Sequence, residues 1–187
     1  MYKIKDLCLA EFLVERGLAN RVTFHAKTLP WFVSDVTPSD FEWTLEMLRG
    51  SPVPLLNRLG HKWHRRVAEG SFAVQTHRFW TLPHPFWAME STAPELYAEL
   101  RCSDLLLFKG DLNYRKLVSD LNWPSATTLK RALKGFLPAP LVALRTLKAD
   151  TVVGLAKGLA EEITRKNGDT RDWMTTGEYS VIQAIGV

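Results

Sequence analysis

The chain has 187 residues, of which 46% are hydrophobic and 24% charged, and a formal net charge of +4. That profile belongs to a folded chain of domain size, and it excludes a disordered tail, a collagen-like fibre and a disulfide-stapled miniprotein. The modest positive charge accommodates anionic ligands without calling for nucleic acid.

The apolar runs at 105–108 and 137–144 fall far short of the roughly 20 residues that a membrane span needs. Lys3, Lys5, Asp6 and Glu11 interrupt any signal-peptide core. An intracellular location, cytoplasmic or nuclear, is expected, with no membrane partner and no nucleic acid. Two cysteines, Cys8 and Cys102, are too few for a disulfide framework and fit a reducing compartment. Seven Trp and nine Phe imply a substantial core.

The spacing predicts a first helix over 4–14, which stops near Gly17, and a strand over 21–27. Thr37-Pro38-Ser39-Asp40 supplies the start of a helix over about 39–49. Ser51 to Pro54 breaks it, and a further helix runs to about Glu69. Residues 72–80 read as a strand closed by prolines, and 93–101 as a short helix. The run 105–108 reads as a parallel strand buried on both faces. Lys109-Gly110-Asp111 follows at once, leading a helix over about 112–121. A short helix is expected near 127–133 and a helix over 151–166, the latter weakened by Gly154 and Gly158. Strands are expected over 141–144 and 180–185. Strands separated by helices make this an α/β chain. The expected form is one domain over 1–187, a three-layer α/β/α sandwich with a mainly parallel sheet. It opens inside a helix and so reads as part of a larger sheet.

In open α/β sheets ligands collect beyond the carboxyl ends of the strands. Three such ends carry polar groups: Asp35 after the first strand, Lys109 to Arg115 after the third, and Arg145 to Lys148 after the fourth. Gly110 permits a sharp turn, and the N–H groups of Asp111, Leu112 and Asn113 then open a helix, where an anion such as a phosphate fits. Arg115 and Lys148 would add positive charge. Asp35 and Asp111 are candidates for a hard divalent cation or for electrostatic steering. The same residues also read as a turn with a helix cap, a solvated loop carboxylate and a basic strand edge. His61 and His64 stand three apart on a helix with no third ligand nearby, and His77 and His84 flank an aromatic strand. No GxGxxG, Walker, GxSxG or HExxH motif is present. Cys8 falls on an apolar helix face, which gives no support to thiol chemistry.

The stretch Lys109-Gly-Asp-Leu-Asn-Tyr-Arg-Lys-Leu117 resembles the KGDLNYRKL signature of the damage-control phosphatase family. Arg145-Thr146-Leu147-Lys148 resembles the RTxK motif of its subfamily III, and residues 27–36 and 79–85 are similar to that subfamily as well. The resemblance implies a metal-dependent phosphatase, using Mn, Co or Ni, that acts on small phosphorylated metabolites such as fructose 1-phosphate and fructose 6-phosphate. It also implies an alternative, an S-adenosylmethionine-dependent carboxyl methyltransferase with a protein substrate. A third reading is a non-catalytic fragment that binds anions or a partner.

Carried over by position, Asp35 is the metal-binding and catalytic Asp. Asp111, Leu112, Asn113, Tyr114 and Arg115 are substrate-binding. Lys148 is the substrate-contacting and catalytic Lys, while Lys109, Gly110, Arg145 and Thr146 complete the motifs. The family's Asp-Asn metal pair has no counterpart near Lys5, and the family's N-terminal helical domain is missing. The chain therefore reads as the C-terminal part of a family member.

Overall fold

The computed structural model describes residues 2–32 and 35–187. The chain divides into two compact units, residues 1–82 and 83–187, each described here by itself.

The first unit opens with α1 (Tyr2–Glu15), followed by β1 (Val22–Ala26), α2 (Pro38–Arg49), α3 (Pro54–Ala68) and β2 (Phe72–Thr76). β1 and β2 pair in parallel, with Val22 opposite Phe72 and Ala26 opposite Thr76. α2 and α3 make the crossover that parallel strands require. Thr37 caps α2 as the sequence suggests. Its hydroxyl accepts the Asp40 N–H while the Asp40 carboxylate accepts the Thr37 N–H, and Pro38 occupies the first turn. Leu7, Ala10, Phe41, Leu45, Leu48, Trp63 and Phe72 form the core. The Phe24 ring lies 5.3 Å from Phe41 and 5.5 Å from Phe72, which seats β1 on α2 and β2.

The second unit contains α4 (Met89–Thr92), α5 (Pro94–Leu100), β3 (Leu106–Lys109), α6 (Asp111–Leu117), α7 (Leu129–Ala132), β4 (Leu141–Thr146), α8 (Leu159–Lys166) and β5 (Ser180–Ile185). β3 and β4 are parallel, with Leu106 opposite Leu141. β5 runs antiparallel to β4, Ser180 opposite Thr146 and Ile185 opposite Leu141. Phe86, Phe108 and Phe136 form an aromatic triangle with centroids 5.2 to 5.8 Å apart. The chain is thus α/β, with parallel strand pairing in both units.

Local departures from the sequence reading have identifiable causes. The strand from Phe72 ends at Thr76, because His77 Nδ1 accepts the Phe79 N–H and starts a 3₁₀ turn over Arg78–Thr81. The run 105–108 is not covered on both faces: Leu106 and Phe108 are buried, whereas Leu105 and Leu107 are each 43% exposed. The helix after Gly110 stops at Leu117, since Ser119 and Asp120 take left-handed φ values of 65° and 52°. The expected helix over 151–166 begins only at Leu159. Val152 and Val153 are buried in irregular backbone, and Gly154 takes a left-handed φ of 74°. Cys8 is exposed rather than packed.

Gly60 marks the closest approach of α3 to α2. A Cβ there would lie 2.5 Å from the Arg49 backbone nitrogen and 2.7 Å from the Leu48 carbonyl carbon. Backbone cannot swing aside as a side-chain tip can. Gly60→Ala should therefore lower stability by about 2–3 kcal/mol, measured by urea unfolding, as overpacking does elsewhere.

Glu11 joins α1 to α3. Its carboxylate accepts from Arg66 and pairs with Lys62, each at 2.9 Å. Burial alone would raise its pKa, but hydrogen bonds from Arg66 and Lys62 outweigh burial and hold it below the ordinary 4.5. A lowered carboxylate pKa stabilises the fold above its unfolded value, and that contribution is lost as pH falls through the folded value. Glu11→Gln should cost about 1 kcal/mol at neutral pH, a figure reduced for the solvent access of both cations. The gap between the two proteins should narrow below pH 4.5 and close at lower pH, as followed by pH-dependent unfolding.

Candidate active-site segments

Arg145 is the centre of the second unit's polar architecture. The sequence places it just past a strand, but β4 continues through Thr146 and carries Arg145 inward, where its side chain is 0% exposed. A buried guanidinium must have its donors met. Nε donates to Asp111 Oδ1 at 2.8 Å, and one terminal nitrogen lies 2.7 Å from the same oxygen. The terminal nitrogens also donate to the carbonyls of Ala149 and Thr151. The guanidinium carbon sits 4.4 Å from the Tyr114 ring centroid, a cation–π contact.

The two motifs are thereby one object. Asp111 Oδ1 also accepts the backbone N–H of Lys148 at 3.1 Å, so the carboxylate binds both ends of Arg145-Thr-Leu-Lys148. Gly110 makes this possible. At φ 96° it turns the chain directly from β3 into α6, and its N–H donates to the Leu144 carbonyl at 2.9 Å. The Lys148 side chain is exposed, as is Thr146.

The remaining residues of the signature divide by role. Tyr114 is buried; its hydroxyl donates to Gln183 Oε1 at 2.9 Å and accepts the Val153 N–H at 3.2 Å. Burial raises its pKa, opposed by its bond to Val153 and by the charge of Arg145. Asn113 turns its amide back onto the Lys109 carbonyl at 2.7 Å. Leu112 is half-buried and Lys109 exposed. Arg115 is held by Asp120 through bonds of 2.8 and 2.6 Å, which raises the Arg115 pKa and lowers that of Asp120. Periodicity gives no hint of Asp120 or Gln183. They become visible only once the chain reversal after Leu117 and the pairing of β5 are known.

Asp35 lies in the first unit, in the loop between β1 and α2. Its Oδ2 accepts the N–H groups of Trp31 at 3.1 Å and Phe32 at 2.8 Å. Val33 and Ser34 fall outside the described residues. His61 and His64 are exposed on α3. Among the described residues no three His, Cys, Asp or Glu side chains converge to hold a metal ion. None of the described helices is long and apolar enough to cross a membrane.

Residues 3–163 match the family model described as damage-control phosphatase ARMT1-like domain. The chain belongs to that family. It is 48% identical over 180 residues to "Damage-control phosphatase ARMT1" of Danio rerio, covering 96% of this chain and 40% of that protein. The proteins of the same name from Rattus norvegicus and Homo sapiens are 46% and 45% identical over 183 residues, covering 98% of this chain and 41% of theirs. The chain thus spans about two fifths of the length of these relatives. The family resemblance that the KGDLNYRKL and RTLK segments carry is confirmed.

Removing Asp111 would leave the Arg145 charge buried against two carbonyls and would free the Lys148 backbone. Asp111→Ala should lower the stability of the chain by about 3 kcal/mol, measured by urea unfolding followed through tryptophan fluorescence. Asp111→Asn, which retains an acceptor for Nε, should cost less.

Proposed function

We propose that this chain carries the phosphate-recognition part of a metal-dependent phosphatase acting on small sugar phosphates of the fructose 1-phosphate and fructose 6-phosphate type. The observation that carries the reading is the Asp111 carboxylate, which joins Arg145 and the Lys148 backbone and so fixes the base of an exposed lysine beside Gly110. The family membership supports the reaction class.

In this reading the Lys148 ammonium meets the phosphoryl oxygens and offsets the negative charge that develops as the P–O bond breaks. It can do so because the ion pair of Asp111 is with Arg145, while Lys148 meets Asp111 through its backbone N–H alone. Arg115 would reach the substrate by exchanging the Asp120 carboxylate for phosphate, an exchange between two anions that leaves the guanidinium's charge balanced. Tyr114 and Asn113 serve the site by shaping the loop, since both side chains are bonded within the unit.

The divalent cation of this reading, Mn, Co or Ni, is not provided for by the described residues alone. Asp35 is one carboxylate, and one of its oxygens already accepts two backbone N–H groups, whereas such ions take several oxygen ligands. In this reading Asp35 would be one ligand among several.

The test is a chimera in which residues 1–187 replace the corresponding part of the Danio rerio relative. It should release phosphate from fructose 1-phosphate in the presence of manganese. Lys148→Ala and Asp35→Ala should each lower kcat by about a hundredfold or more, as loss of a preorganised charge does. His64→Ala should leave turnover unchanged. Near-full activity of Lys148→Ala would make Arg145-Thr-Leu-Lys148 a structural strand edge instead.

A further inference from the structure

The first unit holds a buried cation that periodicity does not reveal. Lys27 follows β1 directly and is only 6% exposed. Its Nζ donates to the Trp80 carbonyl at 3.0 Å, in the turn after β2. Its backbone N–H donates to the Val36 carbonyl at 2.8 Å, so the loop that carries Asp35 is closed at Lys27. Within that loop the Asp35 carboxylate holds the N–H groups of Trp31 and Phe32. The hydroxyls of Thr28 and Thr81 lie 3.2 Å apart and tie the same loop to the same turn.

An ammonium at this depth is expensive. Burial of a charge costs several kcal/mol unless it is compensated, and an apolar side chain of equal volume would stabilise the fold as well or better. Tying the turn to β1 needs a donor, but it needs no charge. Asp35 directly precedes Val36, so the backbone bond from Lys27 brings the Asp35 end of the loop back to Lys27; burial pushes the Lys27 pKa down, and the nearby Asp35 charge opposes this.

We infer that Lys27 is the positioning residue for Asp35, its ammonium fixing the loop against the Arg78–Thr81 turn and balancing the Asp35 carboxylate so that the carboxylate keeps one orientation. The functional value of that orientation rests on the proposed function, while the pairing itself does not.

Two measurements separate these. In the 187-residue chain, Asp35→Asn retains the acceptor for Trp31 and Phe32 and removes only charge. It should shift the unfolding equilibrium about tenfold in the native background and less than about twofold in Lys27→Met, a coupling of the size shown by residues within one hydrogen-bonded network. Lys27→Gln, which keeps a donor for the Trp80 carbonyl, should give the same pattern and serves where the methionine variant does not fold. Equal effects of Asp35→Asn in both backgrounds would overturn the inference.

In the chimera, Lys27→Gln should lower kcat about tenfold with KM for fructose 1-phosphate changed less than about twofold, as for a misplaced reacting group. An unchanged kcat would overturn the positioning role. If Asp35→Asn itself leaves kcat intact, the reading of Asp35 as a site residue falls, and the stability cycle still decides the pairing.

Discussion

Much of the second unit follows from the need to satisfy one buried guanidinium. Arg145 enters the interior because β4 runs two residues past the hydrophobic stretch that defines it in sequence. Once inside, five N–H donors in a fixed plane must find acceptors, and no water competes. Asp111 supplies the counter-charge, the carbonyls of Ala149 and Thr151 supply further acceptors, and the Tyr114 ring covers one face. This bears on why the helix expected from Thr151 does not start there. The Ala149 and Thr151 carbonyls are committed to the Arg145 side chain and the Val153 carbonyl to Gln183, whereas a helix would turn them along its own axis.

The same constraint sorts the charged residues into those held inside the fold and those left at its surface. Arg145 and Asp111 neutralise one another, Arg115 and Asp120 form a more exposed pair, and Lys148 projects from a backbone that Asp111 has fixed. A lysine placed this way presents a point charge on a flexible stem over a rigid base. In the first unit a comparable division holds between Lys27, which is buried, and Asp35, whose Oδ2 is occupied by two N–H groups of its own loop.

What the sequence makes legible is the local chemistry. The helix start at Thr37 to Asp40 and the last strand at 180–185 coincide with the structure, because each is signalled by residues adjacent in the chain. The motifs around Asp111 and Lys148 are legible as motifs. That Arg145 is the partner of Asp111 is not, since the two are 34 residues apart and meet only through the parallel pairing of β3 with β4. The helix expected from Thr151 fails for the same reason, a long-range demand overriding local propensity. The role of Lys27 is not legible, because a lysine in an alternating strand reads as a solvent-facing position, and only burial distinguishes it.

The family model ends at residue 163, but the folded unit does not. β5 lies wholly beyond that limit and pairs with β4 along its full length, from Ser180 to Ile185. Gln183 within it receives the Tyr114 hydroxyl and donates to the Val153 carbonyl, which closes the network around the KGDLNYRKL segment. A recombinant fragment trimmed to residue 163 would expose one side of β4, leave a buried phenol without its Gln183 acceptor, and invite strand exchange between molecules. The last two dozen residues are thus a clasp that holds the sheet and the motif network closed from outside the span by which the family is recognised.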